Sequence, residues 1–138
     1  MAATGADTPL AVVCAALIDG AGRVLLAQRP AGKPMAGLWE FPGGKLHEGE
    51  TPEAGLAREL AEELGIEVAA ADLVPLSFAS HAYATFHVLL LLYVCRHWRG
   101  EIAGREGQAL TWVEKQRLGS HAMPEADRPL VTRLKDVL

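Results

Sequence analysis

Residues 44–66 read GKLHEGETPEAGLARELAEELGI, and this stretch decides how the rest of the chain is read. Its punctuation marks a helix. Thr51 is a favourable N-cap, Pro52 suits the first helical position, and Gly65 suits the residue just past the last turn. A helix is therefore expected over Pro52–Leu64. At about 100° per residue, Leu56, Ala57, Leu60, Ala61 and Leu64 share an arc that should face a sheet. Glu59, Glu62 and Glu63 stand at i, i+3 and i+4 on a separate arc, so their carboxylates should converge within one turn. Like charges so placed repel. A hard divalent cation such as Mg²⁺ or Mn²⁺ would turn that repulsion into binding, and Mg²⁺ commonly shares its shell with phosphates and water. Taken alone, a glutamate-rich helix is more often a solvated face. Gly55 precedes the acidic arc by one turn and is expected to leave room for a metal. Arg58 is expected to pair with Glu50 and hold the preceding loop.

Strands flank this helix. Leu10–Ile18 is a short apolar run that reads as a buried strand. Asp19-Gly20-Ala21-Gly22 is a turn signal, and Val24–Gln28 should complete a hairpin. Residues 30–37 form a Pro- and Gly-rich loop. Leu38–Phe41 is a short strand stopped by Pro42-Gly43-Gly44. Asp72–Ala82 and Ala84–Arg96 read as further strands, Gly100–Gly107 as a loop, and Gln108–Val113 as a last strand. A final helix is expected over Ala126–Val137. Strands mixed with two helices imply an α/β (α+β) domain, a mixed sheet with helices packed on it.

Composition bounds the function. The 138 residues suit one domain; a tail over residues 1–9 and a single domain over 10–138 are expected. Thirteen basic against seventeen acidic residues leave a net charge of −4, which argues against binding a nucleic-acid backbone. A DNA-repair glycosylase is excluded on the same ground. Cys14 and Cys95 sit in apolar runs and read as buried, reduced thiols. No apolar run approaches the ~20 residues that span a bilayer, and the N-terminus lacks a secretory pattern. A cytoplasmic protein without membrane attachment is expected.

Gly44, Glu50, Arg58-Glu59-Leu60, Glu62-Glu63, Gly65 and Ile66 fit Gly-x5-Glu-x7-Arg-Glu-U-x-Glu-Glu-x-Gly-U, with U apolar, at all nine specified positions. This pattern resembles the signature box of the Nudix hydrolases. Leu38–Lys45 also resembles the strand entering the box in the MutT-type branch, and Gly104-Arg105-Glu106-Gly107-Gln108 and Pro124–Leu130 resemble later MutT-type segments. The likeness covers residues 10–136. It implies a Nudix fold, a mixed sheet sandwiched between helices, and Mg²⁺-dependent hydrolysis of a nucleoside triphosphate to the monophosphate and pyrophosphate. Mn²⁺ is a possible substitute. By the resemblance, Glu59, Glu62 and Glu63 would be metal ligands, Gly43 would offer its carbonyl, and Glu106 would be a further ligand or base. Gly44, Glu50, Gly55 and Arg58 would support them.

The resemblance also marks a nucleotide pocket. Arg29 matches a substrate-contact arginine, and Glu40 and Phe41 match the segment that lines the base. Several MutT-type sequences that read 8-oxo-guanine carry asparagine where this chain has Asp127. Cytidine-triphosphate-type relatives carry aspartate there. Ionised aspartate offers acceptors only, so Asp127 would favour base edges with N–H groups; it could equally cap the last helix. Pro34 replaces a histidine found in some MutT-type proteins. His81, Tyr83 and His87 are candidates to line the pocket, although nothing in their spacing identifies a role. Oxidised nucleotides such as 8-oxo-dGTP and cytidine nucleotides both stay open as substrates, with ADP-ribose or dinucleoside polyphosphates less favoured. A monomer or homodimer is expected, and a non-catalytic nucleotide sensor is the alternative of another class.

Overall fold

The structure, a computed structural model, describes residues 8–138. Residues 1–7, most of the expected tail, lie outside the described residues. The element order is β1 (Leu10–Leu17), β2 (Val24–Gln28), β3 (Trp39–Glu40), β4 (Gly43–Lys45), α1 (Pro52–Leu64), β5 (Val74–Ala82), β6 (His87–Cys95), β7 (Leu110–Val113) and α2 (Arg128–Lys135). Short 3₁₀ turns at Ala70–Asp72, Lys115–Ser120 and Glu125–Asp127 join them.

The strands form two sheets, ordered β4-β1-β6-β5 and β3-β2-β7. The first is mixed, because β1 runs parallel to β6 and antiparallel to β4. The hairpin expected between β1 and β2 is therefore corrected. The turn itself exists, with Asp19 accepting from the Ala21 and Arg23 amides. Both edges of β1 are taken by β4 and β6, and both edges of β2 by β3 and β7. Only an isolated bridge, Ile18 to Val24, joins the two strands.

Alternation along β1 builds two cores. Val13, Ala15 and Leu17 face α1, where they pack with Leu25, Leu56, Leu60, Leu64 and Tyr93. Cys14, Ala16 and Ile18 face the other way, packing with Leu26, Phe41, Leu90, Leu130 and Leu134. Helices thus cover both sides of the sheets, an α/β/α sandwich. The apolar stripe of α1 is narrower than expected, since Ala57 is half-buried and Ala61 exposed. The caps of α1 form as its sequence dictates: Thr51 Oγ accepts from the Ala54 amide, and Gly65 takes a left-handed φ of 71°. Both cysteines are buried and free. Among the described residues no helix is long and apolar enough to cross a membrane.

Several boundaries differ from expectation. Tyr83–Phe86 forms a turn closed by the Tyr83 amide on the Phe86 carbonyl, so β6 starts at His87. The last helix begins only at Arg128. Gly43 and Gly44 do not stop a strand but make one, β4. A Cβ at Gly43 would overlap the Val13 carbonyl and Cys14, so glycine is what lets β4 press against β1.

Candidate active site

Strand β4 stands between two chambers. On one side lies the acidic face of α1. The Glu63 carboxylate accepts from the Gly43 amide at 3.0 Å, and a Cβ at Gly44 would fall on the Glu59 carboxylate. The two glycines therefore let α1 bring Glu59 and Glu63 directly onto the strand. Arg58 organises the neighbouring carboxylates. Its guanidinium grips Glu50 with two bonds of 2.7 and 2.9 Å, reaches Glu59 at 2.9 Å and Glu62 at 3.4 Å, and donates to the Lys45 carbonyl. Glu50 also accepts from the His47 amide, and these bonds hold its carboxyl down at about 2.

Gly55 serves this loop and not a metal face. A side chain there would overlap Leu46 and crowd Glu50, so the expected role is corrected to packing. The three helix glutamates also differ. Glu62 is mostly exposed, at 54% of its side chain, and sits on the rim beside Arg58. Glu63 turns inward. Burial, together with the charges of Glu59, Glu106 and Glu40, pushes its carboxyl up to about 8, against the pull of the Gly43 bond. Glu59 is raised by burial and by Glu62 and Glu106, while Arg58 pulls it down.

Glu106 arrives on the loop after β6. It lines a polar chamber of about 310 Å³ with Glu63, Glu40, Arg29, Lys33 and Gln108. Arg29 donates to both oxygens of Glu40, at 3.1 and 3.3 Å, and to the Pro34 carbonyl at 2.6 Å.

The second chamber is a cavity of about 600 Å³ on the α2 side of β1 and β6. Val12, Cys14, Val88 and Leu90 form its apolar floor, and Phe41, Tyr83 and Phe86 its aromatic walls. Tyr83 stacks on Phe86 at 5.0 Å, and its hydroxyl accepts from the Ala126 amide at 3.1 Å. Arg29 and Glu40 line both chambers, while Gly43, Gly44 and Lys45 line the apolar cavity. Phe41 belongs to the core and to the cavity wall at once.

Asp127 closes the cavity and is only 5% exposed. Its backbone is helical and its side chain caps nothing, which removes the helix-cap reading. Burial and Glu40 push its carboxyl up to about 7, opposed by the Phe41 amide and Arg29. The ionised carboxyl offers acceptors only, as the sequence suggests, and the protonated form adds one donor, against the two of an asparagine amide.

Of the other residues read in the sequence, His87 bonds Ser80 and His81 contacts the edge of Tyr83. Tyr83, a candidate from the sequence, does line the cavity, whereas Phe86 and the polar residues Lys33, Lys45 and Gln108 carry no individual mark in the sequence. They come from separate segments, and only the fold brings them together.

The donors facing the polar chamber suit a hard divalent cation. They are all oxygens, they crowd one another enough to disfavour ionisation of Glu63, and Gly44 leaves space for Glu59. Among the described residues, however, no three carboxylate, histidine or cysteine side chains are already gathered to hold a metal. Glu59 and Glu62 each give one oxygen to Arg58 and keep the other.

Comparisons with known proteins agree with this architecture. A family model described as NUDIX domain matches residues 13–133. The chain is 42% identical over 113 residues to the 8-oxo-dGTP diphosphatase of Haemophilus influenzae, covering 82% of each chain. It is 39% identical over 121 residues to the CTP pyrophosphohydrolase of Escherichia coli, covering 86% of this chain and 87% of the relative. The solution structure of the E. coli ORF135 protein superposes with a TM-score of 0.83 at 32% identity, over 99% of this chain and 95% of that one. The chain belongs to the Nudix family, hydrolases of phosphoric anhydride bonds that work with a divalent cation.

Proposed function

We propose that this protein is a Mg²⁺-dependent nucleoside triphosphate pyrophosphohydrolase of the MutT type. It would convert a (deoxy)nucleoside triphosphate to the monophosphate and pyrophosphate, removing oxidised or modified nucleotides such as 8-oxo-dGTP. The observation that carries this reading is the pair of adjoining chambers. An apolar, aromatic-walled cavity fits a nucleobase, and it adjoins, at Arg29 and Glu40, a carboxylate chamber fit for a cation and phosphates. The relatives named 8-oxo-dGTP diphosphatase support the substrate class.

In this reading Glu59, Glu62, Glu63 and Glu106, with the Gly43 carbonyl, hold Mg²⁺, with Mn²⁺ as a substitute. When bound, the ion neutralises phosphate oxygens that would otherwise repel an attacking water. Arg29 and Glu40, tied to each other, position the substrate where the chambers meet. One of these four glutamates would accept the proton of the attacking water. Phe41 packs on the base while Asp127 reads its edge. Arg58 and Glu50 keep the loop before α1 in place. The protein acts on the free nucleotide pool of the cytoplasm, as a monomer or homodimer, without stable nucleic-acid or membrane binding.

A second substrate has a specific observation behind it. Asp127 and the relative named CTP pyrophosphohydrolase favour cytidine nucleotides. A Mg²⁺ panel of normal, oxidised and methylated nucleotides, scored for pyrophosphate against phosphate, tests reaction and base together. Release of pyrophosphate from a base-selected subset supports the proposal. Release of orthophosphate, or no hydrolysis of any triphosphate, overturns it.

A further inference from the structure

The loop carrying Glu106 has no strand to hold it. Residues 103–109 run past the C-terminal end of α1, whose last carbonyls would otherwise lack partners. The Ala103 amide donates to the Leu64 carbonyl at 3.1 Å, and the Arg105 amide to the Glu63 carbonyl at 2.9 Å. Neither bond reaches Glu106 itself.

The half-buried side chain of Gln108 does. Its Oε1 accepts from the Glu106 amide at 2.9 Å, and its Nε2 donates to the Glu63 carbonyl at 3.1 Å. We infer that Gln108 is a positioning residue, whose side-chain amide straps the Glu106 backbone to the Glu63 backbone and so sets the two carboxylates across one chamber. The loop is shaped around this amide. Gly107 turns the chain back with a φ of 77°, and a Cβ at Gly104 would strike the Gln108 carbonyl at 2.5 Å.

The primary amide of Gln108 carries its acceptor and its donor on separate atoms, so one side chain holds both backbone partners at once. Asparagine is one methylene short. Glutamate at 108 keeps the acceptor but sets a carboxylate against the Glu63 carbonyl oxygen. The strap acts on backbone atoms, so it leaves both glutamate carboxylates free for other partners. The inference rests on the proposed participation of Glu106 in the reaction.

The test compares Gln108→Ala, Gln108→Glu, Glu106→Gln and the double variant Gln108→Ala/Glu106→Gln. Residues that orient a ligand typically contribute ~10–100-fold, and kcat of Gln108→Ala should fall by that range while KM holds, because the base cavity is untouched. Gln108→Glu should recover none of it. The double variant should be no slower than Glu106→Gln alone. A readout independent of turnover is amide-resolved hydrogen exchange on the metal-free protein. The Glu106 amide should exchange at least ~10-fold faster in Gln108→Ala, with the amides of α1 unchanged. If Glu106→Gln is slow but Gln108→Ala is not, or if the two losses multiply, the strap is wrong. If Glu106→Gln is as fast as the parent, the proposed role of Glu106 fails first and takes the positioning role with it. Unchanged exchange at Glu106 would refute the tether directly.

Discussion

The acidic face of α1 and the apolar cavity lie on opposite sides of a three-residue strand, Gly43–Lys45, and are built on opposite principles. The acidic face is local. Glu59, Glu62 and Glu63 come from one turn of one helix, and Arg58 and Glu50 from the same short stretch. The cavity is assembled from β1, β4, β6, the Tyr83–Phe86 turn and the segment before α2. One region gathers like charges and tolerates their repulsion. The other walls off a largely apolar cavity of about 600 Å³, with Glu40 and the buried Asp127 as its carboxyls. Under the proposed function a division of labour is expected: the first region would supply the chemistry and the second the choice of substrate.

Chelation should separate them most sharply. EDTA should abolish hydrolysis, and Mg²⁺ or Mn²⁺ should restore it, while a nucleoside lacking phosphates still binds the cavity of the chelated protein. Hydrolysis that survives chelation would break the comparison. Next in size is Glu63→Gln. Steady-state kinetics should show a loss of at least ~10²-fold in kcat. The metal-free melting temperature of Glu63→Gln should lie above the parent's near neutral pH, because the fold raises the Glu63 carboxyl from 4.5 to about 8 and the parent must take up a proton to fold there.

A smaller effect belongs to the cavity. The fold raises Asp127 from 3.8 to about 7, so it favours the protonated acid. That contribution to stability is complete below the unfolded value and is lost as pH rises through about 7. Thermal melts of the metal-free protein between pH 5 and 8 should therefore fall with rising pH. They should fall less in Asp127→Asn, by several degrees. Parallel curves for the two proteins would mean that burial of Asp127 costs nothing.

The same contrast explains what could be read from the sequence. Helix α1 was legible residue by residue, because Thr51, Pro52 and Gly65 act on their own neighbours and carboxylates at i, i+3 and i+4 meet without help from the fold. Pairing between strands was not. The turn at Asp19–Gly22 reads as a hairpin, but whether β1 and β2 pair depends on which distant strands occupy their edges. Gly43-Gly44 reads locally as a stop; only the closeness of β1 and Glu59 reveals why glycine is needed there. Asp127 could be located but not described, since its proton affinity depends on burial beneath residues 40 and 41. Tyr83, Phe86 and Gln108 act through partners 40 or more residues away or across a loop, and no spacing marks them.

The division of labour is tested most directly by kcat/KM for a set of nucleoside triphosphates differing only in the base, measured with saturating Mg²⁺ on the parent protein, Glu63→Gln and Asp127→Asn. Glu63→Gln should lower every value by a common factor and leave the ranking intact. Asp127→Asn should reorder the bases, changing at least one ratio by ~10-fold while the best substrate keeps its kcat. Reordering by Glu63→Gln, or a uniform loss in Asp127→Asn, would contradict the account.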